Sequence, residues 1–358
     1  MKMILRWFGQ EHDKITLAQI RQIPGVSGIA TSLMSIPVGE VWSEETLQAL
    51  KREVEAQGLE AEVIESVNIH EDIKLGLPTR DKYIANYIET MKNLSAIGVK
   101  VICYNFMPVL DWARSNLYHK LPDGSETMYY NNDTIMNISP SELAALYKEQ
   151  CKGIELPGWE PERMAVVNET IAKYKDITED DYYEHIKYFL DKIIPYAEQY
   201  EIKMAIHPDD PPWPIFGLPR LIVNRDNIRK FLDLNKSVYN GLTLCTGSLG
   251  ANKNNDIPAI VREFSTEGRI HFAHIRNLRF DSEKSFYESA HLSACGSLDM
   301  YEIVKVFHDT NFSGYIRPDH GRMIWGETGR PGYGLYDRGL GATYLLGLWE
   351  ALEKNKRG

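Results

Sequence analysis

The stretch SGYIRPDHGR, residues 313–322, carries an apolar pair, Tyr315 and Ile316, straight into Arg317, Asp319, His320 and Arg322. Short apolar runs bounded by a turn residue such as Gly314 read as buried strands. Ionisable groups are costly to bury, so a strand that ends in four of them ends where they are used. Parallel barrels gather their chemistry at the C-terminal ends of their strands, and other runs of the chain end in the same way.

Eight β-branched or aromatic runs fall at 4–8, 26–33, 60–67, 100–107, 203–207, 242–246, 270–275 and 314–317. Helical patterns separate most of them. In SEETLQALKREVEAQG, 43–58, a serine opens the segment, glutamates fill the first turn, apolar residues recur every three or four positions and a glycine follows. Eight strand–helix units in series, joined by right-handed crossovers, predict a (β/α)8 TIM barrel in a single domain over residues 1–358. The interval 108–178 breaks the rhythm. An insertion of that length is not expected to be structureless, and its place after the fourth strand predicts a cap over the C-terminal barrel face. An oligomer contact is an equally good reading of the same segment and is compatible with the first.

Strand five ends MAIHPDD, strand six LTLCTGS, strand seven HFAHIRN and strand eight YIRPDHG, which sets His207, Cys245, His274 and Asp319 at successive strand ends. Imidazole, thiolate and carboxylate are donors for a divalent transition metal, and a barrel top brings neighbouring ends within reach of one ion. A lone histidine at a strand end is more often structural; four aligned candidates reverse that weighting. Side chains alternate along a strand, so His271 and His274 face opposite ways, and His274 is the expected ligand. Asp319 and His320 diverge by the same rule, leaving His320 at the rim as an acid or base.

Composition narrows the partners. The 358 residues are 43% hydrophobic with a formal net charge of −10, which suits a large core and argues against a phosphate-backbone ligand. The N-terminal MKMILRWFGQ is too short for a signal core, and no stretch approaches the roughly 20 apolar residues that span a bilayer. Cys103, Cys151, Cys245 and Cys295 form no CxxC pair, consistent with a reducing, cytoplasmic compartment. Cys103, in VKVICYNF, reads as core, and Cys151 and Cys295 lack a ligand pattern. Glu65, Asn68 and His70 at the third strand's end read as a solvated loop or a support for the site.

Across nearly its whole length the chain resembles the metal-dependent mannonate dehydratases of the xylose-isomerase-like barrels. The likeness rests on LRWFG (5–9), CYNFMPVLDWAR (103–114), HPDDPPWPIFGLPR (207–220), LCTGSLG (244–250), HFAHIRN (271–277) and RPDHGR (317–322). It implies dehydration of D-mannonate to 2-keto-3-deoxy-D-gluconate with Mn2+ or a similar ion such as Fe2+ or Co2+. It also implies metal ligation by His207, Cys245, His274 and Asp319, and a homodimer.

The chemistry needs one group to take the proton at C2 and another to protonate the C3 oxygen, because hydroxide leaves poorly. His320 and Tyr333, the latter in RPGYGLYDRG, are the candidates, with Tyr333 expected as base and His320 as acid; the reverse assignment and a purely space-filling Tyr333 stay open. Arg276 and Arg322 suit a substrate carboxylate, and Asn105, Asp111 and Trp112 are weaker contacts. Three other readings are a metal-dependent sugar isomerase or epimerase on the same barrel, a metal-stabilised binding protein, and a barrel endonuclease. The cysteine at strand six argues against the first, since such isomerases hold metals with carboxylate-rich sets, and the acidic charge argues against the last.

Overall fold

The computed structural model describes residues 1–151, 154, 156, 159 and 161–356; the remainder of the expected cap and domain, residues 152, 153, 155, 157, 158, 160, 357 and 358, lies outside them. Eight parallel strands close a barrel: β1 (Lys2–Arg6), β2 (Val26–Thr31), β3 (Glu60–Glu65), β4 (Val101–Tyr104), β7 (Lys203–Ile206), β8 (Asn240–Cys245), β9 (Ile270–His274) and β12 (Tyr315–Arg317). Their order around the barrel is β1-β12-β9-β8-β7-β4-β3-β2, with β12 of the opening stretch pairing β1 and β9. All eight expected strands are present, most of them ending one or two residues earlier than the apolar runs suggest.

Burial on both faces explains their composition. Ile4, Ala30, Val63, Val101, Cys103, Ala205 and Phe272 fill the barrel interior, while a larger apolar layer packs the outside of the strands against the helices. Cys103 is thus core, as its surroundings in the sequence indicate. The helices form where their ends are satisfied: Ser43 accepts from the Thr46 amide to start Glu44–Glu55, which buries Leu47, Leu50 and Val54. Thr178 and Asp181 cap Glu179–Gln199 reciprocally, and that helix buries an apolar stripe from Tyr182 to Ala197.

Two hairpins add what the alternation of strand and helix does not announce. The 108–178 insertion begins with β5 (Asn116–Lys120) and β6 (Glu126–Tyr130), and a second hairpin, β10 (Leu278–Phe280) and β11 (Phe286–Glu288), leaves the top of β9. They join as one antiparallel sheet in the order β10-β11-β6-β5. Phe286 stacks on Tyr130 at 5.4 Å between ring centroids, and the Thr127 hydroxyl donates to the Glu288 carbonyl at 2.7 Å. Further helices, among them Pro140–Cys151 and Val167–Lys173, follow in the insertion.

Candidate active site

Strand ends deliver the proposed ligands to one place. His207 follows β7, Cys245 closes β8, His274 closes β9 and Asp319 stands two residues beyond β12. The donor atoms of His207, Cys245 and His274 all lie within 4.8 Å of one another. Asp319 adjoins them, with Oδ2 3.5 Å from the Cys245 sulfur and Oδ1 3.7 Å from His274 Nδ1. It sits at φ +53°, a left-handed backbone conformation uncommon outside glycine, and one that turns the chain at the end of the strand.

Each candidate ligand is oriented by its neighbours. His207 Nδ1 lies 2.7 Å from the Pro208 carbonyl, which only accepts, so Nδ1 carries the hydrogen and Nε2 is left bare; burial pushes this imidazole toward its neutral form. The Cys245 sulfur accepts from the Ser248 amide at 3.4 Å and the Ser248 hydroxyl at 3.2 Å. His274 Nδ1 receives the Arg317 guanidinium at 3.4 Å, and its Nε2 is buried 3.5 Å from Glu65 Oε2. Burial alone would raise the Asp319 carboxyl, but His320, Arg317, His274 and Arg276 hold it well below the usual carboxylate range.

Two imidazoles, a thiol and an ionised carboxylate, brought together at the strand ends, fit a divalent transition metal. Glu65, Cys103 and His274 form a competing cluster. It is the poorer cation site, because burial raises the Cys103 thiol well above its ordinary range.

Beside the candidate ligands runs a chain of hydrogen bonds. Tyr333 Oη lies 2.9 Å from His320 Nε2, and His320 Nδ1 lies 2.8 Å from Glu288 Oε1. Burial pushes the Tyr333 phenol up to about 12, so its proton stays on oxygen and is offered to His320. A buried network of alternating charge carries the rest: Arg114 grips Asp210 at 2.7 Å and Glu288 at 2.9 Å, and Arg276 reaches Asp210 at 2.8 Å, Glu288 at 3.1 Å and Asp319 at 2.7 Å. Burial would raise Glu288, but His320, Arg276 and Arg114 bring it below its ordinary value and keep it charged.

His207, Arg276, Asp319, His320, Tyr333 and Asn105 line one cavity of about 820 Å3, together with Asp111 and Trp112. That volume lies in the range usual for small-molecule sites, roughly 300 to 1,000 Å3. Cys245 and His274 are not among the described lining residues. Arg322 is not among the described lining residues: it is bound to Asp337 at 3.0 Å and to Asp123 at 3.0 Å. Sequence reasoning overlooked Arg114, Asp210 and Glu288. The first two lie inside the stretches LDWAR and HPDD, whereas Glu288, in SFYESAH, carries no local signal.

Comparison with known proteins adds an independent line. A family model described as D-mannonate dehydratase (UxuA) matches residues 1–358. The mannonate dehydratase of Thermotoga neapolitana is 60% identical over 356 residues, covering 99% of each chain. The crystal structure of mannonate dehydratase from Streptococcus suis serotype 2 superposes with a TM-score of 0.90 at 43% identity, over 99% of this chain and 96% of that one. A D-psicose 3-epimerase shares the barrel at a TM-score of 0.57 and 11% identity, over 98% of this chain and 99% of that one, a likeness of fold alone. The chain belongs to the D-mannonate dehydratase family.

Proposed function

We propose that the family's reaction, dehydration of D-mannonate to 2-keto-3-deoxy-D-gluconate, runs in this cavity on the His320–Tyr333 pair. A divalent cation held by His207, Cys245, His274 and Asp319 would stand beside the pair. The observation that carries the reading is the unbroken contact from Tyr333 Oη through the His320 ring to Glu288, with Tyr333 and His320 in the wall of a cavity that the candidate ligands His207 and Asp319 also line.

The protein groups account for the proton movements. Tyr333 passes its proton to His320 Nε2, and the phenolate takes the proton at C2 of the substrate. The electron pair of that C–H bond is first held by delocalisation into the adjacent carboxylate, and it then forms the C2–C3 double bond as the C3–O bond breaks. The His320 imidazolium protonates the departing oxygen, so water leaves and both groups return to their starting forms. The enol left behind tautomerises to the 2-keto acid. Asn105 and Arg276, both in the cavity wall, are the proposed contacts to substrate oxygens, whereas Arg322 is not among the described lining residues. When bound, the cation supplies positive charge against which the negative charge developing on the substrate is stabilised. Mn2+ is the proposed ion, with Fe2+ and Co2+ suited to the same mixed nitrogen, sulfur and oxygen donors.

The reading includes one barrel domain over 1–358 with 108–178 as its cap, supported by Asp111, Trp112, Leu156 and Arg163 of that segment in the cavity wall. It also includes a cytoplasmic homodimer, supported by four unpaired cysteines and by the exposed Trp325, Tyr336 and Leu340.

Substrate protons test the division of labour. Incubated in D2O, the Tyr333→Phe enzyme should lose both dehydration and exchange of the C2 hydrogen. If Tyr333→Phe lost dehydration yet exchanged C2 at the wild-type rate, the base would be His320.

A further inference from the structure

We infer that Glu288 is the positioning residue of the site: it fixes the tautomer and orientation of His320, and so rests on the assignment of His320 made above. Its Oε1 lies 2.8 Å from His320 Nδ1 and is also approached by Arg114 Nη2 at 2.9 Å and Arg276 Nη1 at 3.1 Å. Two guanidinium groups on the same oxygen hold the carboxylate in place, and Glu288 as a whole is only 1% exposed. Its other oxygen, Oε2, is buried without a partner, so every directional contact converges on the atom that faces His320.

The consequence is a single allowed tautomer. An ionised carboxylate only accepts, so Nδ1 must carry a hydrogen, and the lone pair of neutral imidazole is left on Nε2. That nitrogen is 2.9 Å from the Tyr333 hydroxyl, the one place where a lone pair can receive the tyrosine's proton. Were the ring in the other tautomer, Nε2–H would point at the phenol and the transfer would be blocked. Once His320 is protonated, the same carboxylate stabilises the imidazolium. Carboxylates that orient histidines in this manner raise rates without touching substrate.

Glu288 reaches this position from outside the barrel. It ends β11, whose pairing with β6 and whose Phe286–Tyr130 stack tie it to the 108–178 insertion. Two excursions from different strands therefore combine to place one carboxylate behind the histidine.

A double-mutant cycle tests the inference. Glu288→Gln should lower kcat at least about tenfold while KM and metal content stay near wild type. Added to His320→Asn, which itself should be at least about a hundredfold down, Glu288→Gln should cost less than about threefold more, because the residue through which it acts is gone. Equal losses from Glu288→Gln in both backgrounds would overturn the role through His320, and so would unchanged kcat per folded site. Wild-type kcat in His320→Asn would instead refute the underlying assignment. If loss of charge between Arg114 and Arg276 prevents folding, Glu288→Asp keeps the charge, withdraws the oxygen from His320 and takes its place in the same cycle.

Discussion

At the scale of single residues, Cys245 separates the metal account from a purely structural one. It ends a fully buried strand, 0% exposed, and a strand cysteine in that setting ordinarily behaves as a small hydrophobe. On that view Cys245→Ser costs little beyond a mild polarity penalty. As a ligand the sulfur must be a thiolate, and a serine hydroxyl of similar size resists deprotonation. Cys245→Ser should therefore lose metal content, turnover and any metal-dependent gain in Tm together, and excess Mn2+ should restore part of the activity by mass action. Metal analysis and melting curves of the variant check this; wild-type metal content and wild-type turnover would remove Cys245 from the ligand set. The neighbours matter as well: Ser248, which donates to the sulfur from both amide and hydroxyl, stabilises charge on it.

At the scale of elements, β9 carries its function and its stability on opposite faces. Phe272 and His274 point into the barrel, while Ala273 joins the outer apolar layer and His271 is buried on that same outward side. The His271 ring packs on β8 where a Cβ on Gly241 would come within 2.2 Å of Nε2, so only glycine leaves room for it. Burial, with Lys203 and Arg269 adding to it, pushes His271 down to about 3. The unfolded chain protonates this ring near its ordinary value of about 6.5, so the neutral folded form contributes stability that is fully present above that pH. The contribution is lost as pH falls toward about 3, at up to about 1.4 kcal/mol per pH unit. His271→Gln should flatten this dependence, seen as a smaller drop in Tm than wild type between pH 6.5 and 4; parallel Tm curves would contradict it. The barrel strands are legible in sequence because burial on both faces leaves unbroken apolar runs, and the ligand candidates because each interrupts or follows such a run. The hairpins are less so. β5 and β6 flank a turn, Asp123–Gly124, whose glycine adopts φ +85°, a signal available but masked by the irregular segment around it. β10 and β11 have three residues each, too few for any period to emerge, and with them Glu288 escapes notice.

At the scale of the whole molecule, the closed barrel turns eight distant segments into one rim, and the two hairpins add a sheet of their own. The arrangement explains why the buried charges come from so far apart in sequence: Glu65, Arg114, Asp210, Arg276, Glu288, Arg317 and Asp319 share ion pairs of which only Arg317–Asp319 lies within one short motif. Burying so many charged groups is tolerable only because each has an opposite partner. The excess of candidate donors at the centre of that network is what a bound cation would complete. The most direct test is the metal content of protein purified without chelator, measured alongside D-mannonate dehydration before and after the ion is stripped. A divalent ion stoichiometric with the chain, activity lost with it and restored by Mn2+, is the result expected. Metal-free protein that dehydrates D-mannonate at the full rate would contradict the account.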